Sequence, residues 1–406
     1  MTSPKVVGRL GRFEFITLIA ALIAINAFAI DVMLPGLQQI GAGLGEADPN
    51  RRQLVIPAYM LGFGVLQIVF GPLSDRYGRR KPLLVGLVIY CVAALSAYVV
   101  TDFNRLVLLR CVQGAGAAGS AVIAMALIRD LFVGDEMSKT MSLAFMVMMV
   151  SPIFAPIIGQ VLLLAFDWRG LFAFMACLGA IVTVWTYMRL PETLKPENKR
   201  PFGIGPMIEG FGIVFSNHVA MRYVLATALL FGGLLGFLTS AQQIYVGIYQ
   251  VGAWFPAFFA TAGAAAALGG FANSQLVEKY GMRRIAFLSL VVFIATVPVL
   301  LIGSTFGALP VWLFVVINAV QFFTFSMIMP NFGSLALEPL GEVAGTAASA
   351  QGFLQMVLGA GIGTYVGQQF NGTVIPFGIA QLVLSVLALA LTFGAGRSRP
   401  VPVPAE

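Results

Sequence analysis

Apolar runs of about 20 residues alternate with short polar segments along the whole chain. An α-helix needs roughly 20 apolar residues to cross a bilayer, because each residue adds about 1.5 Å along the helix axis. The pattern therefore predicts an all-α membrane protein with twelve transmembrane helices. The predicted spans are 14–40, 52–72, 82–101, 104–127, 140–165, 168–189, 221–246, 252–275, 285–303, 309–332, 344–369 and 373–394.

One polar segment occurs twice. Gly71–Lys81 reads GPLSDRYGRRK, and a diverged copy, Ser274–Arg284, follows 203 positions later in a chain of 406 residues. Repetition at half the chain length indicates a duplicated unit, and paired repeats are a common way to build a transporter. We therefore expect two pseudo-symmetric six-helix halves, at 1–190 and 221–406. Between them, at 191–220, Pro, Lys, Arg and Glu replace the apolar run, which is typical of a cytoplasmic linker.

Composition excludes several classes of protein. Hydrophobic residues make up 59% of the chain and charged residues only 10%, against about 25% charged in a soluble domain. The net charge of +7 does not indicate nucleic-acid binding, because the positive residues cluster in short loops. The chain has a single histidine, His218, and its sequence contains no metal-ligand cluster, nucleophile motif or P-loop. We therefore expect no enzyme activity, metal site, cofactor or ATP-driven pumping.

Lys and Arg residues set the orientation. Of the 24 in the chain, 19 fall at the ends and loops on the side of both termini, and four on the other side. Because positive residues are retained in the cytoplasm, both termini are predicted to be cytoplasmic. The first apolar run is long and lacks a cleavage site, so it predicts a first span rather than a signal peptide.

Two ionisable side chains, Asp31 and Arg110, lie well inside the predicted spans. Such a charge costs roughly 2.5–3.5 kcal/mol on insertion scales, so it is a functional candidate by default. Pro35 removes a backbone donor near Asp31 and weakens the helix there. We expect Asp31 to bind and release a proton, with Arg110 close by. The alternative is a permanent ion pair between them that only stabilises the fold.

Spans 4 and 5 carry packing and hinge signals. Gly114–Gly119 matches G-x-G-x-x-G, but inside a membrane helix this spacing predicts close helix packing rather than dinucleotide binding. In span 5, Pro152, Pro156 and Gly159 predict a kinked helix. The kink is either a static bend or a hinge on which the halves move.

The segment after span 2 is predicted to act as a conformational latch on the cytoplasmic side. Gly71 and Pro72 are expected to end the helix, and Asp75 to accept hydrogen bonds from amides at a neighbouring helix N-terminus. An arginine of the loop would pair with an acid at the end of span 4. Simple positive-inside orientation is the alternative, which explains the arginines but not Asp75. The predicted latch residues are Gly71, Asp75, Arg79, Arg80 and Asp130.

The second half has no charge inside its spans and presents amides and aromatic rings instead. Such a pocket suits an uncharged or weakly cationic lipophilic molecule. It suits a phosphate or a dicarboxylate poorly, because no Lys or Arg can hold one. Each residue taken alone has an equally simple interpretation as a contact between helices. The predicted substrate-binding residues are Phe28, Tyr59, Gln113, Gln242, Tyr245, Asn318, Gln321, Phe322, Gln351 and Gln355.

These motifs resemble those of the major facilitator superfamily. Gly71–Lys81 is similar to the superfamily's loop motif, and Arg110–Gly114 resembles the fourth-span motif of proton-coupled members. Asp31–Pro35 resembles the first-span acidic motif of the Bcr/CflA-type exporters, and the residues around Gly159 are similar to the antiporter motif. Ile23 stands where some members carry a second carboxylate, so a mechanism with two acids on span 1 is not expected.

The resemblance implies the major facilitator fold and proton-coupled drug efflux by alternating access, as a monomer in the bacterial inner membrane. It implies that the first half couples protons and that the second lines the substrate site. The expected partners are a small-molecule substrate, protons and the lipid bilayer, without a cofactor. Two alternatives stay open: export of an endogenous metabolite such as a sugar, a nucleoside or an amino-acid derivative, and a transporter-like sensor.

Overall fold

The computed structural model describes residues 10–132, 134–194, 211–305, 307 and 309–393, so part of the predicted linker, 195–210, lies outside the described residues. The described chain is built from α-helices joined by short loops. The first half contains α1 (Arg12–Asp31), α2 (Leu37–Gly43), α3 (Pro49–Arg52), α4 (Val55–Tyr77), α5 (Arg80–Tyr98), α6 (Phe103–Leu131), α7 (Gly134–Ala165) and α8 (Arg169–Arg189). The second half contains α9 (His218–Gln242), α10 (Phe255–Tyr280), α11 (Met282–Thr305), α12 (Val311–Leu337), α13 (Ala344–Gln368) and α14 (Ile375–Thr392).

These helices occupy all twelve predicted spans. Among the described residues, ten helical stretches are long and apolar enough to cross a membrane. The other two predicted spans correspond to α7, which contains a shorter apolar stretch at Val150–Ala165, and to α13. Large apolar side chains such as Leu108, Ile181 and Phe271 are exposed on the outer faces of these helices, which suits contact with lipid.

The first span, predicted over 14–40, runs over Arg12–Gly43, and its helix is broken where Pro35 was expected to weaken it. The chain leaves α1 at Asp31, forms a 3₁₀ turn at Leu34–Gly36 and continues as α2. Pro35 is the physical reason, because it lacks a backbone donor and restricts the residue before it. The break puts Asp31 at the C-terminal end of a helix.

The second span is longer than predicted. Helix α4 continues through Gly71 and Pro72 to Tyr77, so the prediction that this pair ends the span is wrong. A proline inside a helix removes one backbone hydrogen bond, and membrane helices tolerate this where neighbouring groups compensate. The helix ends instead at Gly78, whose φ of +92° is accessible to glycine but rarely adopted by other residues.

The chain divides into two compact units. Unit 1 comprises Met1–Phe202 with Gly252–Ala260, and unit 2 comprises Gly203–Val251 with Thr261–Glu406.

In unit 1, α6 packs against α4 and α5 through its glycines. A Cβ at Gly114 would overlap the backbone of Tyr59 in α4, and a Cβ at Gly116 would crowd the backbone of α5. The G-x-G-x-x-G spacing thus serves helix packing, as predicted.

Unit 2 uses the same kind of close contact. A Cβ at Gly363 in α13 would crowd the backbone of α9, and a Cβ at Gly269 in α10 would overlap the carbonyl of Phe323 in α12. Aromatic and aliphatic side chains, including Phe293 and Phe332, fill the core between α9, α11 and α12. Both units are therefore held by small residues at helix crossings, which suits an environment without a hydrophobic drive between helices.

Candidate functional site

Asp31 carries a buried carboxyl group that has no partner among the described residues. Its side chain is only 6% exposed, and neither a hydrogen bond nor an ion pair joins it to any described residue. It ends α1, where the helix dipole is negative. Gly159 of α7 packs directly against the break, since a Cβ there would overlap the carbonyl of Val32. The predicted hinge glycine thus contacts the residue that follows the predicted proton carrier.

Arg110 is fully buried, and its partners are neutral. Its Nη1 donates to Oε1 of Gln113 at 2.6 Å and its Nη2 to the carbonyl of Ala29 at 2.7 Å. Its Nε donates to the carbonyl of Val55 at 3.2 Å. Ala29 lies in the last turn of α1, where carbonyls lack helical donors, so the arginine caps this helix. No ion pair with Asp31 is present, which leaves the carboxyl group available.

A polar chain leads away from Arg110 through Tyr59, a predicted substrate-binding residue, to Asn26 and Ser120, which sequence reasoning missed. The guanidinium lies over the ring of Tyr59, 4.5 Å from its centroid. The Tyr59 hydroxyl donates to Oδ1 of Asn26 at 3.2 Å, and Nδ2 of Asn26 donates to Oγ of Ser120 at 3.0 Å. Asn26 is an amide five positions before Asp31 in an apolar run, and this polarity is the signal that could have identified it.

The predicted latch residues Asp75, Arg79 and Asp130 come together at one end of unit 1 and form the loop cluster. Arg79 donates through Nη1 to Oδ1 of Asp75, and through Nε to Oδ2 of Asp130 at 2.8 Å. Oγ of Ser74 accepts a further bond from Arg79. Burial lowers the pKa of Arg79, but hydrogen bonds and charge from Asp130 and Asp75 outweigh it, so this pKa is raised. Arg79 therefore carries its charge throughout the physiological range.

The loop cluster differs from the prediction in two contacts. The described ion pair of Asp75 is with Arg79 and not with helix amides. Arg80 does not join the cluster: its guanidinium bonds to the carbonyl of Tyr187 and lies over the Tyr187 ring, 5.3 Å from the centroid. Glu192, which sequence reasoning missed, binds the backbone of the loop. Gly71 lies inside α4 and supplies its carbonyl to Ser74.

The predicted hinge prolines lie within α7. Pro152 and Pro156 are both internal to this helix, which continues through them. Ala155, which lies between the two prolines, is fully buried, and Ser151, which precedes Pro152, is also buried. A proline-containing helix with a small buried face can bend or pivot, and the assignment as a hinge stays a prediction.

Two of the predicted second-half residues, Tyr245 and Phe322, belong to an aromatic cluster in unit 2 that is centred on Phe237. The ring of Phe237 lies 5.1 Å from that of Phe322 and 6.4 Å from that of Tyr245, between centroids. Phe314 contacts both Tyr245 and Tyr249, at 5.4 and 5.3 Å. A π-helical segment, Gln243–Ile248, ends the seventh span. Tyr245 lies within this segment, and Tyr249 directly follows it. Such segments occur frequently at functional sites.

The predicted amides lie in the same unit. Asn318 and Gln321 of α12 are buried, and Gln321 donates from Nε2 to Oγ1 of Thr296 at 3.1 Å. Oδ1 of Asn318 is buried and accepts no hydrogen bond from a described residue. Gln242 and Gln351 are buried, whereas Gln355 is half-buried. An acceptor without a donor in an apolar region is available to a ligand.

A cavity in unit 2 lies away from these residues. It has a volume of about 560 Å³ and is lined by apolar side chains of α10, α11 and α12, among them Leu268, Val316 and Phe323. Leu268 and Val316 are more than half exposed, so the cavity opens on the outer surface. It lies on a different face of α12 from the predicted site residues.

Known proteins identify the class to which this arrangement belongs. The model of the Major Facilitator Superfamily matches residues 16–364, and the chain belongs to this family of membrane transporters. It is 33% identical to the bicyclomycin resistance protein homolog of Haemophilus influenzae, over 93% of this chain and 95% of that one. It is 28% identical to multidrug resistance protein D of Escherichia coli, over 86% and 87%.

A solved structure supports the same fold. The peptide transporter POT in complex with sulfate has a TM-score of 0.74 at 14% identity, over 97% of both chains. The resemblance, the twelve-helix fold and the transporter class predicted from the sequence are thus confirmed.

Proposed function

We propose that this protein is a proton-coupled antiporter that exports lipophilic, neutral or weakly cationic compounds from bacteria. The observation that carries the proposal is the buried carboxyl group of Asp31 at a helix break, which has no partner among the described residues. The buried Arg110 binds the carbonyl of Ala29, two residues earlier, and makes no ion pair with Asp31. Relatives named for bicyclomycin and multidrug resistance favour drugs as the substrates. We further propose that the protein is a monomer in the inner membrane. The distribution of Lys and Arg supports an orientation with both termini in the cytoplasm.

Proton coupling follows from the electrostatics of Asp31. A buried carboxyl group without a partner is much more stable when protonated, because an isolated buried charge is very costly. When Asp31 releases its proton, its carboxylate competes with the carbonyl of Ala29 for the guanidinium of Arg110. That exchange would uncap α1 next to Gly159, and so link the proton to a movement of α7.

Export uses this step in a cycle. Asp31 binds a proton from outside as the drug leaves, and releases it inside as the next drug binds. Proton and drug need only bias the same conformational equilibrium in opposite directions. With one carboxyl group, exchange of a monovalent cation for a proton is electroneutral. Export of a neutral drug moves one charge and gains about 2.3 kcal/mol per 100 mV of membrane potential.

Unit 2 is the proposed substrate-binding half. Its aromatic cluster offers apolar contact, and the unpaired Oδ1 of Asn318 offers an acceptor to a donor group on the drug. The spans of unit 2 contain no buried Lys or Arg among the described residues, so anionic substrates are disfavoured. The loop cluster and the α7 prolines are the proposed latch and hinge of the conformational change.

Drug susceptibility in a host that lacks its own pumps tests the proposal. Expression should raise resistance to several lipophilic compounds, and a protonophore should abolish the effect. Metabolite export would give no change across the drug panel but a lower intracellular level of one metabolite. A sensor would change neither drug resistance nor the level of a metabolite. The result expected for metabolite export and the result expected for a sensor would each overturn the proposal of drug efflux.

A further inference from the structure

The segment that follows α8, Leu190–Leu194, lies against the loop between α4 and α5, and we call it the α8 extension. Its Glu192 carboxylate accepts hydrogen bonds from two backbone amides of the loop. The amide of Arg79 donates to Oε1 at 2.7 Å, and that of Arg80 donates to Oε2 at 3.2 Å. The amides of Thr193 and Leu194 also donate to Oε1, at 3.1 and 3.0 Å. This carboxylate therefore fixes both the loop and its own segment.

The loop provides a fitting site for the carboxylate. Arg79 is the N-cap of α5 and Arg80 its first residue, so their amides lack partners within the helix and lie where the helix dipole favours an anion. Gly78 completes the site, because a Cβ there would overlap the Glu192 carboxylate. The glycine is thus required twice, for its positive φ and for the space that Glu192 occupies.

A second contact joins the α8 extension to the loop cluster. Oγ1 of Thr193 donates to Oδ2 of Asp130 at 3.2 Å, and the same oxygen accepts from Nε of Arg79 at 2.8 Å. Glu192 and Thr193 therefore hold the backbone of Arg79 and the carboxylate that binds its side chain. Glu192 and Thr193 thus control the geometry of Arg79, although Glu192 lies 113 positions further along the chain.

We propose that Glu192 is a positioning residue for transport. It fixes the N-terminus of α5 so that the Arg79 guanidinium bridges Asp75 and Asp130, and it attaches the start of the linker to unit 1. The role in transport rests on the proposed function, whereas the attachment itself does not. The described contacts of Glu192 are to backbone amides, so Gln at this position would place a donor against a donor.

Hydrogen–deuterium exchange of the purified full-length protein tests the attachment. In Glu192→Ala and Glu192→Gln, the amides of Arg79 and Arg80 should exchange about tenfold faster or more, because hydrogen bonds to a charged group are lost. Glu14→Gln is the matched control: Glu14 pairs with Arg189 at the same end of α8 but does not touch the loop. Unchanged exchange in the Glu192 variants would overturn the proposal.

Transport kinetics test the positioning role. The Glu192 variants should lose at least about tenfold in maximal efflux rate, with KM within twofold of wild type, since substrate contacts are unchanged. Faster exchange with an unchanged maximal rate would also overturn the proposal. Failure of the proposed function is distinguishable, because wild-type protein would then show no protonophore-sensitive export.

Gly78→Ala covers the case in which Glu192 variants are poorly expressed, and a double-variant cycle tests whether the two residues are in direct contact. Gly78→Ala should displace the Glu192 carboxylate, so exchange at Arg79 should be faster in this variant with Glu192 intact. In Gly78→Ala/Glu192→Ala the clash is absent, and the combined effect should be clearly smaller than the product of the two single effects. Independent effects would contradict a direct contact.

Discussion

The two copies of the repeated loop show how the halves diverged. Gly281 corresponds to Gly78 and keeps a positive φ of +80°, so the turn was retained. Met282 stands where the first copy has Arg79. The ion pair of the second copy, Arg283 with Glu338, has a separation of 3.9 Å between partly exposed groups. Exposed pairs contribute at most about 1 kcal/mol, so this described pair is weaker than the Asp75–Arg79–Asp130 cluster of the first copy.

The interiors of the two units differ in the same way. Unit 1 buries Asp31, which has no partner among the described residues, and Arg110, which backbone carbonyls and a neutral side chain hold. The described interior of unit 2 holds amides and aromatic rings. Duplication thus supplied two similar scaffolds, and the chemistry of each was set by a few side chains. Substitutions in each unit should therefore separate proton coupling in unit 1 from substrate contact in unit 2.

The largest effect is expected from Asp31→Asn. The amide cannot exchange a proton, so the variant should fold but lose all protonophore-sensitive efflux. Drug efflux driven by an imposed pH gradient in proteoliposomes is the measurement. Asp167→Asn, at an exposed carboxylate, is the control and should transport normally. Full activity in Asp31→Asn would contradict the proton-carrier role.

Arg110→Ala should have the second-largest effect. It leaves the carbonyls of Ala29 and Val55 and Oε1 of Gln113 without this donor, at about 1–3 kcal/mol for each unsatisfied acceptor. Thermal unfolding in detergent should show a lower Tm, and efflux should be lost. Arg110→Lys keeps the charge but not the three-way hydrogen bonding, so it should recover part of the stability and little transport. If Arg110→Lys matched the wild type in both Tm and efflux, the charge alone would account for the role of Arg110.

Asp75→Asn should lower the maximal efflux rate severalfold, and Glu278→Gln, at the matching position of the second copy, should not.

The raised pKa of Arg79 means that its charged form is stabilised by folding. That contribution is fully present below the ordinary arginine pKa and is lost only as pH rises through the raised value. The Tm difference between wild type and Asp75→Asn should therefore stay constant from pH 7 to 9. A matching defect in Glu278→Gln would remove the distinction between the two loops.

Phe322→Ala should have the smallest effect, on substrate affinity alone. Loss of an aromatic contact worth about 0.5–1.5 kcal/mol raises KM roughly two- to tenfold, with little change in the maximal rate. Phe323→Ala is the matched control, because Phe323 is its neighbour but lines the outward-opening cavity. Efflux kinetics of a fluorescent cationic substrate measure both. A larger KM change in Phe323→Ala would move the substrate site to that cavity.

Much of the fold could be predicted because membrane insertion depends on local composition. A run of apolar residues crosses the bilayer whatever its neighbours are, so the twelve spans followed from the chain. The detailed ends did not, because Pro35 breaks its helix whereas Pro72 is accommodated. The same residue type had opposite outcomes, and the difference depends on what surrounds each proline.

The amino-acid sequence by itself determined the number of spans, the two halves and the identity of the buried acid and base, since each is a property of a short segment. Tertiary structure alone decided the partners: Arg110 caps α1 instead of pairing with Asp31, and Glu192 reaches the amide of Arg79 across 113 positions. Hydrogen bonds act over about 3 Å, so only the folded chain decides which distant groups come within that range.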